Sequence, residues 1–102
     1  MSRASFAPVS FRDEQRFSQG PDVVSRVLDG EAVLLDLASG KYLGLNGVAT
    51  RAWELIAAGK TLGEIRAALL DEFDVTRDVL DRDLAELLEA MRARQLIVVL
   101  TS

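Results

Sequence analysis

The chain contains neither cysteine nor histidine, and these two absences remove the commonest means of catalysis. There is no thiolate nucleophile, no imidazole base, and no zinc site of the usual Cys/His kind. Any chemistry would have to run on serine, lysine, tyrosine or carboxylates. The lack of cysteine also excludes disulfides, and the first residues hold no apolar run of the length that a signal peptide needs. The expectation is a cytoplasmic protein with no metal, no cofactor and no membrane contact. Basic charge is scarce as well: 12 Lys and Arg stand against 16 Asp and Glu, a net charge of −4. That is the wrong sign for neutralising phosphates, so nucleic acid is not an expected partner.

What is present is ordinary for a folded domain. Of 102 residues, 49% are apolar, enough for one core and too many for disorder. A chain of this size has little volume left for a deep pocket beside its core, so a binding module is favoured over an enzyme.

Residues 1–21 differ from the rest. They carry Arg3, Arg12 and Arg16 against Asp13 and Glu14, a balance of +1 that leaves −5 on the remaining 81 residues. Phe6, Phe11 and Phe17 are scattered without a sustained period, which predicts a mobile arm or a loosely docked strand. From residue 22 onwards the pattern is that of one domain, 22–102. Val23–Leu28 and Val33–Leu37 are β-favouring runs joined through Asp29-Gly30, a strong hairpin signal. A turn at Ala38-Ser39-Gly40 leads to a third strand, Lys41–Leu45, completing an antiparallel meander.

The period then changes from 2 to 3.6. Asn46 is placed to cap a helix over Gly47–Ala58, closed by Gly59, with Trp53 as the bulky plug of the core. Thr61 and Glu64 form a capping box for a second helix that starts at Leu62. Thr76 caps a third helix, Arg77–Ala93, whose Leu80, Leu84, Leu87, Leu88 and Met91 make an apolar stripe. The apolar tail Gln95–Leu100 reads as a last strand or a cover for the core. The fold class is therefore α+β: a three-stranded antiparallel meander followed by three helices that must cover one of its faces.

Several groupings suggest chemistry and do not sustain it. The acidic run from Asp71 to Asp83 lacks the spacing of a calcium loop, and Asp78, Asp81 and Glu86 fall on the solvent side of the third helix. Gly40, Gly44 and Gly47 do not make a phosphate loop. The strongest alternative function is a winged-helix DNA-binding regulator of transcription, because three helices and a hairpin wing compose that architecture. The helix that would enter the groove offers Arg77, Arg82 and Arg92 against five carboxylates, and would repel the duplex. What remains is the edge of the third strand, whose unpaired backbone groups can accept an extended peptide; the same edge can also pair with a second copy and give a homodimer.

The run DGEAVLLDLASGKYLGLNGVATRAWELIAAGKTLGEIRAALLDEFDV, followed by VLDRDLAELLEAMRARQLI, resembles the PqqD family of peptide chaperones over residues 22–97. The features that carry the resemblance are Leu-Asp followed by Gly-x-Tyr, the Leu45-Asn46 pair, the Ala52-Trp53 step, a glycine before the second helix, and Asp83 in the third. It implies a winged-helix-like fold and a non-catalytic adaptor for ribosomally synthesised, post-translationally modified peptides. Such an adaptor binds the leader segment of a precursor peptide as an added strand between the third strand and the third helix. It presents the core segment to a modifying enzyme, such as a radical-SAM enzyme in pyrroloquinoline quinone biosynthesis or a leader peptidase in lasso-peptide clusters. Carried onto this sequence, the strand wall of the groove is Lys41, Tyr42, Leu43, Gly44 and Leu45. The helix wall is Val79, Leu80, Asp83, Leu84 and Leu87. If Leu43 and Leu45 face the core, Tyr42 turns away to cover the peptide, Gly44 admits its backbone, and Asp83 pairs with a basic leader residue.

Overall fold

A computed structural model describes residues 11–100. The elements run β1 (Arg16–Gln19), β2 (Val23–Leu28), β3 (Glu31–Asp36), β4 (Lys41–Gly44), α1 (Gly47–Ala57), α2 (Leu62–Glu72), α3 (Arg77–Ala93) and β5 (Ile97–Leu100). The expected order of three strands and three helices is present, as an α+β fold. Local chemistry sets most of the boundaries. Asp29 and Gly30 take φ values of 54° and 80°, the left-handed pair that a tight two-residue hairpin requires. Asn46, Thr61 and Thr76 each accept an N–H bond from the third residue of the helix they start, and Glu64 returns a bond to the Thr61 N–H, completing the capping box.

The three middle strands form one antiparallel sheet in the order β2-β3-β4. Its inner face contributes Ala32 and Leu34, and Leu45 just beyond β4, to a core shared with Trp53 and Ile56 of α1, Ile65 and Leu69 of α2, and Leu80, Leu84, Leu88 and Met91 of α3. One polar side chain is buried among the described residues, Thr50, and it ties helix to sheet. The Ala32 N–H donates to Thr50 Oγ1 at 2.8 Å, and that hydroxyl donates to the Leu45 carbonyl at 3.3 Å. Thr50 thereby inserts its oxygen where the direct bond from Ala32 to Leu45 would lie, while the Leu45 N–H still reaches the Ala32 carbonyl at 2.8 Å. The end of β4 and the start of α1 are fixed to one another by this bridge.

Of the two alternatives for the N-terminal segment, residues 16–19 take the strand. β1 pairs antiparallel with β5 in a separate two-stranded sheet, with Phe17 opposite Val99. Phe17 is part of the core and meets Phe11 edge to face at 5.6 Å, which accounts for two of the three scattered aromatics; Phe6 lies outside the described residues. The connection from β1 passes so close to the loop after α3 that a side chain on Gly20 would collide with the Gln95 carbonyl. The tail Gln95–Leu100 supplies the partner strand. Asp81 is not simply solvated as its helix face suggests. It accepts from Arg66 of α2 at 2.6 Å, and Arg66 also holds Asp13 at 3.0 Å, so one half-buried guanidinium joins α2, α3 and the N-terminal strap. Burial works against its charge, but the hydrogen bonds it donates to Asp81 and Asp13 together outweigh that desolvation, and its pKa is raised. Among the described residues no helix is long and apolar enough to cross a membrane.

Candidate functional site

Two backbone bonds fix which residues of the meander face which neighbour. Leu37 N–H bonds to the Asp22 carbonyl, and Leu45 N–H to the Ala32 carbonyl. In an antiparallel ladder, residues in bonded pairs alternate with residues whose N–H and C=O turn the other way. Combined with the register of β3 on β4, in which Leu43 opposes Leu34 and Tyr42 opposes Leu35, Leu43 and Leu45 spend their backbone groups on β3. Tyr42 and Gly44 turn theirs to the far side, where no strand among the described residues pairs with β4.

Side-chain alternation follows. Leu43 and Leu45 pack toward the core, Leu45 fully and Leu43 in part. Tyr42 projects from the opposite face and is 69% exposed, alongside Val24 and Leu35. Gly44 places no side chain on that face, and a Cβ there would meet nothing within 4 Å.

Where β4 ends, an apolar cleft of about 420 Å³ begins. All five residues assigned to the helix wall line it: Val79, Leu80, Asp83, Leu84 and Leu87 of α3. Leu80 and Leu84 are buried and double as core, while Val79 stays 41% exposed on the open side. The other wall is Asn46 and three residues of α1, Val48, Ala49 and Ala52, and Val75 and the Glu86 expected on the solvent side of α3 complete the lining. The five strand positions do not line this cleft, whereas Asn46, the residue that follows Leu45, does. The sequence reading missed the α1 wall. Its signal was available in the small residues Ala49 and Ala52, which lie at helical spacing and leave room above them. Asp83 sits at the mouth, exposed, with the Arg82 guanidinium 3.7 Å away. The Asn46 carboxamide is occupied by its cap bond to the Ala49 N–H at 2.9 Å.

The parts define a class: a small α+β domain that offers a vacant strand edge and, beside it, an apolar cleft walled by helix. Residues 31–97 match the family model described as coenzyme PQQ synthesis protein D (PqqD), and the chain belongs to the PqqD family. It is similar to TbiB1 as solved in complex with the TbiA(beta) leader peptide, at 36% identity and a TM-score of 0.74, with 83% of this chain and 99% of that one covered. It is also similar to a lasso peptide synthetase B1 complexed with its leader peptide, at 26% identity and a TM-score of 0.72, covering 81% and 98% of the two chains. No match was found among curated proteins.

Proposed function

We propose that this protein is a non-catalytic adaptor that binds the leader segment of a ribosomally made precursor peptide and presents the remainder to a modifying enzyme. The leader adds as a fourth strand along β4, bonding to the backbone of Tyr42 and Gly44, and its inward side chains reach the cleft between α1 and α3. The observation that carries this reading is the pair of outward-turned residues on β4 next to an apolar cleft of about 420 Å³. Main-chain bonds to an edge supply affinity without regard to sequence, and the cleft supplies the selection. Two relatives of the same fold that were solved with leader peptides support it, as does a side-chain inventory poor in catalytic groups. The similarity to a lasso peptide synthetase B1 supports a lasso-peptide pathway over pyrroloquinoline quinone biosynthesis, with a leader peptidase as the modifying enzyme we propose.

Amide hydrogen exchange tests the mode of binding. When the precursor's leader peptide is added, the Tyr42 and Gly44 amides become protected, while Leu43, already bonded to β3, changes little. Saturable binding with no new protection at Tyr42 and Gly44 would remove strand addition and leave only the cleft.

A further inference from the structure

The meander has a second free edge. The register of β2 on β3 with the Leu37 to Asp22 bond turns the N–H and C=O groups of Val23, Ser25 and Val27 away from β3. Among the described residues nothing pairs with them. This edge spans six residues against four for β4, it carries no proline and no bulge of the kind that guards exposed edges, and its one charged side chain is Arg26. Its burial is also anomalous. Val27 has the parity of the buried Ala32 and Leu34, yet it is 52% exposed, an inner-face residue left open among the described residues.

We propose that β2 pairs with β2 of a second copy of this chain, antiparallel about a twofold axis through Ser25, giving a continuous six-stranded sheet with a β4 edge at each end. The strand is self-complementary in this register. Val23 stands opposite Val27 of the second copy, Ser25 opposite its own counterpart, and Val27 opposite Val23 of the second copy. These three bonded pairs satisfy every outward group on both edges with about six hydrogen bonds. Each pairing of Val23 with Val27 covers the inner-face side chain that is exposed in the single chain, and opposed β-branched residues are a favourable cross-strand combination. Arg26 falls opposite Val24 of the second copy. Moving the axis to Arg26 would set two like charges face to face, and moving it to Val24 would shorten the overlap. One strand edge buries less than a standard-size interface, so the dimer forms and dissociates with concentration. It leaves both β4 edges free, and therefore pairs two peptide-binding sites in one particle.

The test uses the full chain without any peptide. Sedimentation at roughly 10 to 300 µM, the range suited to a small interface, is expected to show a monomer passing to a dimer. Ser25→Pro removes an outward N–H that β3 does not use, and Val27→Lys adds a charge to the edge; both are expected to sediment as monomers while keeping a cooperative unfolding transition. Because the chain has no cysteine, Ser25→Cys gives a register-specific readout. Bonded cross-strand pairs hold Cα atoms about 5.5 Å apart, within disulfide reach, so this variant is expected to cross-link to a covalent dimer on mild oxidation, and Tyr42→Cys on the other edge is not. A wild type that stays monomeric throughout, a dimer that survives both edge variants, or cross-linking no faster at Ser25→Cys than at Tyr42→Cys would each overturn the proposal.

Discussion

A carboxylate placed in the cleft at Val79 separates peptide binding from folding. Val79 is the third residue of α3, and its N–H takes the Thr76 cap whatever its side chain is. A negative charge in the first turn is favoured by the helix dipole, and the side chain is already 41% exposed, so Val79→Asp costs the free protein little. In the complex the balance reverses. The leader would cover the cleft, and a carboxylate shut into an apolar wall without a partner costs several kcal/mol. Removing the methyl groups adds about 1 kcal/mol of lost burial. A total of about 3 kcal/mol or more corresponds to leader binding weakened by at least about 100-fold. Val79→Ala, which loses only burial, should weaken it by about fivefold. Fluorescence anisotropy with a labelled leader, run beside thermal unfolding of each variant, checks both halves. Binding by Val79→Asp within about threefold of wild type, with an unchanged unfolding temperature, would refute the assignment of the cleft.

Four further outcomes follow from the same geometry. Leu84→Asp, at a buried residue shared by cleft and core, should abolish leader binding and lower the unfolding temperature as well, whereas Glu89→Ala, whose partner is Arg92, should leave binding unchanged in the same anisotropy titration. Thr50→Val should cost about 1–3 kcal/mol by orphaning the Ala32 N–H, lowering the melting temperature by several degrees in a calorimetric scan, and Thr50→Ser should restore most of it. Gly20→Ala, which forces a methyl group against the Gln95 carbonyl, should destabilise by about 1–3 kcal/mol in urea unfolding, within the usual range for a substitution the backbone cannot accommodate. Glu64 has its pKa lowered from 4.5, first by the bond from the Thr61 backbone N–H. Its contribution is therefore present above pH 4.5 and is lost as pH falls through the depressed value. The stability difference between wild type and Glu64→Gln should accordingly shrink as unfolding is followed down in pH from about 5.

The parts of this fold legible in the sequence are those governed by short-range chemistry. Asp29-Gly30 announces its turn because few other pairs tolerate two left-handed residues, and Asn46, Thr61 and Thr76 announce their helices because a short oxygen-bearing side chain meets exposed N–H groups there. The three helix starts agree with the structure, and the strand after Asp29-Gly30 begins two residues earlier than its apolar run, at Glu31. The β1–β5 pairing had no such signal. It joins segments some 80 residues apart through four residues each, and nothing near Phe17 shows that its partner is Val99. Arg66 was similarly silent, since its two carboxylates come from a strap and from another helix. The α3 residues of the candidate site came from the family resemblance and do line the cleft, but the α1 wall depends on how two helices approach, and the orientation of Tyr42 and Gly44 required a register that alternation over so short a strand leaves open.

Closing the molecule with β1 against β5 has an architectural result. Arg16 lies opposite Leu100, while the residues just before it run on across the start of α2, held by the bonds from Leu62 N–H to Gln15 and from Gly63 N–H to Asp13, so the first and last strands of the described molecule are neighbours. Adjacency of a first and a last strand is the arrangement that lets a domain be circularly permuted with little disturbance to its core.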